Sequence, residues 1–260
     1  MTPEQTRSER ERAHETFTKV THAHVASIQA LGVVAALPDA CSLIAAKQQV
    51  RSALRGDGRT DGFAAQADMV VKYVQEMHES KFETMWQMAL ISLCGALEYL
   101  VKAVFVDQAA HDQAKAAALI EDVKLNLKAS DVLGLPVTEQ WFIIADALFK
   151  ELGKRHPQFY QRCTCMLQDY SALQLPAVQR EHLETALGAS EIKNINEAFL
   201  VRNCLVHNGG RVSAALAKAK GLERNSLIQL DRDYALALIV PIIRFAECIN
   251  SVWSATLMLE

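Results

Sequence analysis

The sequence predicts an all-α fold. Apolar residues recur at helical spacing through most of the 260 residues, and capping and stop residues bracket those runs. Strand-type alternation is nearly absent, and Asn208-Gly209 lacks the alternating flanks that a hairpin needs. Half of the residues are apolar and 22% are charged, which is the composition of a chain that buries a core rather than a disordered one.

Thr2-Pro3-Glu4 is a cap with proline at the first helical position, and it opens a polar helix that turns apolar towards Val33. Pro38-Asp39 starts a second helix ending at Gly56, and "GDGRTDG" at 56–62 is the clearest flexible punctuation. The expected organisation is therefore an N-terminal helical extension, 1–61, followed by a helical domain, 62–260. Ser80 and Glu83 have capping-box spacing and open the most apolar helix, which runs to about Asp107. Nearly every position from Met85 to Val106 is apolar, so other helices should surround it. Glu98 and Lys102 are its interior charges, and their i,i+4 spacing allows a local pair, while a buried Glu98 can also serve a distant arginine.

Between about 107 and 190 the helices become shorter and more polar, near 111–128, from Thr138 to Leu152, after Pro157 and after Pro176. Ser190 is the expected cap of a helix reaching His207, with Asn208-Gly209-Gly210 as its stop. Asp231 opens the last helix, with apolar residues recurring from Leu236 to Leu259.

The net charge of −3 gives no global attraction for nucleic acid, although a local basic site needs none. The six cysteines mostly lie within apolar helical runs and read as small buried hydrophobes. No apolar leader precedes the charged N-terminus, and Thr84 to Leu97 is only fourteen residues without a charge, short of the roughly 20 that a span needs. The expectation is a soluble, cytoplasmic protein with no membrane association.

Chemistry concentrates in "FLVRNCLVHNGGRVS", residues 199–213. On a helix, Asn203 and His207 lie about 40° apart on one face, and the long Arg202 side chain can swing to join them. A histidine at a helix C-terminus is favoured as the imidazolium, and it can take a proton from a ribose 2′-hydroxyl or give one to a leaving 5′-oxygen. An arginine can hold the phosphate between them, and an asparagine can fix a tautomer or a phosphate oxygen. An arginine and a histidine five apart also occur together by chance in ordinary helices, so spacing alone decides nothing.

"RNCLVHNGGRVS" resembles the signature of the HEPN superfamily (higher eukaryotes and prokaryotes nucleotide-binding domain), R-x4-6-H with a polar residue directly after the arginine. The His-Asn-Gly-Gly tail resembles the subgroup labelled RiboL-PSP-HEPN, and "ALISLCGALEYLVKAVF" resembles the long helix beside the motif helix. The resemblance covers about Glu83–Asp107 and Glu191–Trp253, which makes 107–190 a helical insert in a HEPN-like bundle. It implies a metal-independent endoribonuclease that leaves a 2′,3′-cyclic phosphate, of a kind found among toxins, defence effectors and RNA-processing enzymes. It also implies a homodimer with facing motifs, and an inhibitory or activating protein partner. Arg202 and His207 would be catalytic, Asn203 would support them, and Glu98 would orient Arg202. Arg211, Lys218, Lys220 and Arg224 would line a groove for flanking phosphates, or form an ordinary solvated face.

Two further readings stay open: a catalytically silent HEPN-like module that binds RNA or protein, and a structural helical protein with a fortuitous motif. No cofactor is expected. His22-x-His24 points to two helix faces, and Cys163-x-Cys165 lacks the second half of a zinc pattern, so no metal site is expected. The chain carries no Gly-rich phosphate loop after a strand, no G-x-S-x-G and no H-E-x-x-H.

Overall fold

The computed structural model of the chain describes residues 9–35, 82–111, 135–168 and 185–257, with isolated positions between 69 and 80 and at 127 and 181. Among the described residues the fold is all-α, with seven bounded helices and no strand. They are α1 (Glu9–Ala35), α2 (Glu83–His111), α3 (Val137–Arg155), α4 (Phe159–Gln168), α5 (Ala189–His207), α6 (Ala214–Lys220) and α7 (Arg232–Leu257). The expected helices after Pro38, at 111–128 and after Pro176, and the punctuation at 56–62, lie outside the described residues.

The chain divides into two compact units, one of Met1–Val20, Leu90–Ile228 and Leu236–Glu260, and the other of Thr21–Ala89 and Gln229–Ala235. Within the second unit, Glu83 does not close a capping box on Ser80. Its Oε1 instead accepts the Leu230 N–H at 3.0 Å and Gln87 Nε2 at 3.2 Å. Asp231 does cap α7 as its sequence predicts, its carboxylate accepting the Tyr234 N–H at 2.9 Å.

Within the first unit, α2 is buried on nearly every side, with Leu93, Cys94, Leu97, Leu100, Val101 and Val104 at 2% exposure or less. That matches a helix apolar all round its circumference. Its Lys102 reaches Glu98 Oε1 at 2.7 Å and Asp146 Oδ1 of α3 at 2.6 Å, so a charge pattern local to one helix ties two helices together. α3 packs on α4, and α4 and α6 pack on α5. The 107–190 region therefore contributes to the wall around α5 through α4 rather than standing apart from it.

Pro241 interrupts α7. Proline has no N–H, so the carbonyl four residues earlier, that of Ala237, loses its intrahelical donor. Asn194 Nδ2 of α5 donates to that carbonyl at 3.1 Å. Arg244 pairs with Glu191, whose other oxygen accepts the Gly188 N–H at 2.9 Å, so α5 and the interior of α7 are joined at two points. The helix starts at Ala189 with Gly188 as its cap, and Ser190 lies one residue inside it.

Two helical stretches, Glu83–Ala109 and Arg232–Val252, are long and apolar enough to cross a membrane, with 67% and 56% of their apolar windows buried in the structure. The expectation that both stretches fall short of a span is corrected in length, because helix continues past the isolated charges that had bounded them in the sequence.

Burial pushes the Cys94 thiol far above its ordinary pKa, with the nearby Arg202 opposing and Glu98 adding to the rise. Burial does the same to Cys163. Lys102 is raised as well, since hydrogen bonds from Asp146 and Glu98 outweigh the downward pull of its burial. A folded pKa above the unfolded one gives stability that is complete below the unfolded value and lost as pH rises. Thermal melts should therefore hold steady at neutrality and fall from about pH 8.5, by up to about 1.4 kcal/mol per pH unit for each buried thiol. Replacing Cys94 and Cys163 by alanine should flatten that alkaline slope.

Candidate functional site

The motif stands at the C-terminal end of α5. Ile195, Ala198, Phe199, Val201 and Cys204 are buried and hold the helix on the core. The opposite stripe carries Lys193, Asn196, Leu200, Asn203 and His207, which fall within about 80° of one another by the ~3.6-residue period. The helix stops at His207 because the N–H groups of Asn208 and Gly210 both donate to the Cys204 carbonyl at 3.0 Å. Gly209 and Gly210 have φ of 59° and 76°. A Cβ at Gly209 would meet nothing within 4 Å, so the left-handed backbone, rather than lack of space, calls for glycine there.

The chain then folds back. Val212 N–H donates to the Ser226 carbonyl at 2.8 Å and Ile228 N–H to that of Gly210 at 2.9 Å, flanking an isolated antiparallel bridge between Arg211 and Leu227. Pairing therefore follows the Asn-Gly turn despite its missing alternation, but it stops at a single bridge. α6 sits inside this loop, capped by Ser213 Oγ, which accepts the Leu216 N–H at 3.3 Å, and stopped by Gly221 at φ 68°.

Arg202 Nη1 donates to Asn203 Oδ1 at 3.0 Å, which brings the guanidinium round to the Asn203 side of the helix. Its Nε is buried without a hydrogen-bond partner among the described residues. His207 and Asn203 are exposed on the same face, and Val206 beside His207 is 44% exposed. Arg202 and Glu98 both act electrostatically on Cys94, which places the middle of α2 beside the motif. Glu98 nevertheless does not orient Arg202 through an ion pair: its carboxylate holds Lys102, the local alternative that its spacing allowed.

The four predicted groove cations separate. Lys218 and Arg224 are exposed, while Arg211 Nη1 donates to the Asn225 carbonyl at 3.1 Å and steadies the return loop. Lys220 corrects the expectation most clearly, since its Nζ lies 2.8 Å from Oε1 of Glu197, a carboxylate only 4% exposed. The pair is close in distance but outside hydrogen-bond geometry, so Glu197 Oε1 retains acceptor capacity. Burying an acid requires a partner of this kind.

No protein-family model matches the chain, no curated protein matches its sequence, and no solved structure matches its fold. What the site can do is therefore argued from its own residues.

A cleft of about 370 Å³ borders the motif stripe, lined along α5 by Ala189, Ile192, Lys193, Asn196, Glu197 and Leu200, with Gln158 and Ala219 from either side. Sequence reading missed Asn196 and Glu197. The signal for Glu197 was present as a lone acid in the run "INEAFLV", where an apolar face surrounds it. A second cleft along α3 contains Asp146 and Glu151, whose charges are matched by Lys102 and Lys154. Among the described residues no group of three His, Cys, Asp or Glu side chains could hold a metal ion.

Proposed function

We propose that the chain is a HEPN-type endoribonuclease that cleaves RNA by transesterification, in the cytoplasm. The observation that carries this reading is the Arg202–Asn203 hydrogen bond, which turns a guanidinium towards the face where His207 ends the helix in solvent. In the reaction the ribose 2′-oxygen attacks the adjacent phosphorus and its proton passes to an imidazole. The phosphorus–5′-oxygen bond breaks, and that oxygen takes a proton from an imidazolium. The products are a 2′,3′-cyclic phosphate and a 5′-hydroxyl. Arg202 balances the charge gathering on the phosphoryl oxygens, and Asn203 holds Arg202 in position.

One imidazole serves poorly as base and acid in a single passage. Two copies of the chain related by a two-fold axis divide the roles, and the exposed Val206 next to His207 supplies apolar contact for such a pairing. A free ribonuclease damages its own cell, so a restraining or activating partner protein belongs to the proposal. Lys218 and Arg224 are the cations left to meet flanking phosphates.

A second reading, a catalytically silent RNA- or protein-binding module, is favoured by one observation. His207 has no hydrogen bond among the described residues, so no group of this chain fixes its tautomer. Incubating the purified protein with RNA in EDTA separates the two, since only the enzyme produces cyclic phosphate ends.

A further inference from the structure

The stripe that carries Asn203 and His207 runs directly into the 370 Å³ cleft. Asn196, Leu200, Asn203 and His207 succeed one another on one helix face, and Asn196 lies about 16 Å along the axis from His207 at ~1.5 Å per residue. A strand whose phosphate sits at His207 and which follows α5 reaches the cleft within a few nucleotides. The volume falls within the range that holds small organic groups.

The polar groups of the cleft are few and oriented. Asn196 Oδ1 accepts the backbone N–H of Tyr160 at 2.9 Å, which fixes the amide and leaves Nδ2 as an uncommitted donor. Glu197 supplies a carboxylate, 4% exposed, whose charge Lys220 neutralises while an acceptor position remains. Lys193 stands exposed at the rim. Uncommitted donors and acceptors in a confined, largely dry site discriminate strongly, because a wrong partner leaves them unpaired.

We propose that this cleft is a base-specificity subsite that takes a guanine flanking the scissile phosphate. Guanine presents two adjacent donors, N1–H and the N2 amino group, next to the O6 acceptor. Glu197 accepts from the donors and Asn196 Nδ2 donates to O6. Adenine, cytosine and uracil each leave part of this set unmatched. Specificity in single-stranded RNA is commonly read in this way, from a splayed base on its Watson–Crick edge. The proposal rests on the ribonuclease reading for the position of the phosphate.

The test uses the full chain and short labelled RNA strands that differ only by guanosine or uridine at one position. Wild-type protein should cut with guanosine enriched at one fixed offset from the break, and His207→Ala protein should bind the guanosine strand about tenfold more tightly than the uridine strand. Asn196→Asp keeps the oxygen that holds Tyr160 but sets an acceptor against O6, so the preference should fall about tenfold. Glu197→Gln should weaken it as well, and if that variant does not fold, Asn196→Asp decides alone. Cleavage without a guanosine preference, or a preference that survives Asn196→Asp, overturns the subsite and leaves the nuclease intact. Guanosine-selective binding that Asn196→Asp abolishes, with no cleavage by wild type, upholds the subsite and overturns the nuclease. Absence of both binding and cleavage overturns both.

Discussion

His207→Ala lowers single-turnover RNA cleavage by about 10²–10⁴-fold, the usual contribution of a positioned general acid–base group. It leaves stability within about 0.5 kcal/mol, because the side chain is exposed and makes no hydrogen bond among the described residues. Cleavage rate and thermal melt, measured on one preparation, check both halves. Arg202→Ala should lower activity comparably, but it is the poorer probe. Arg202 is half-buried beside Cys94, so its removal also disturbs packing, whereas His207 separates chemistry from folding. A variant that kept wild-type cleavage at His207 would remove the histidine from the mechanism.

The largest stability effect is expected at a residue first taken for a phosphate ligand. Lys220→Met leaves the carboxylate of Glu197 buried without its counter-ion, which should cost about 3–5 kcal/mol. Glu197→Gln should cost much less, although it breaks the same pair. Lys220 is 34% exposed and can turn its ammonium to water, whereas Glu197 has no such escape. Urea titration of the two variants reads the asymmetry. Equal costs would mean that the pair acts as an ordinary surface salt bridge, worth about 1 kcal/mol or less.

Features set by neighbouring residues were legible in the sequence. Asp231 caps α7, and the glycines after His207 end α5, because capping and left-handed backbone depend on a few adjacent positions. The burial of α2 was likewise written in its composition. Features that depend on distant partners were not. Glu83 has the spacing of a capping box, yet it serves Leu230, which lies 147 residues away. Asn194 answers a carbonyl that Pro241 left open in another helix, and no periodicity links those two positions.

The candidate site divides along the same line. Arg202, Asn203 and His207 share one helix turn and a half, so helical period alone gives their common face. Glu98 and Lys220 were assigned from charge and proximity in sequence, and tertiary packing gave both to other partners. A long basic side chain beside a buried acid is drawn inward, and its sequence neighbourhood carries little information about that choice.

The central claim is that His207 and Arg202 serve an attack by the ribose 2′-hydroxyl, and the most direct measurement removes that hydroxyl. Purified wild-type protein is incubated in EDTA with an RNA strand it cuts, and with the same strand carrying one 2′-deoxyribose on the 5′ side of the cut. The account predicts cleavage of the first strand to a 2′,3′-cyclic phosphate and a 5′-hydroxyl, and no cleavage at the substituted position of the second. Cleavage that persists at the 2′-deoxy position, or that yields 5′-phosphate ends, would contradict it.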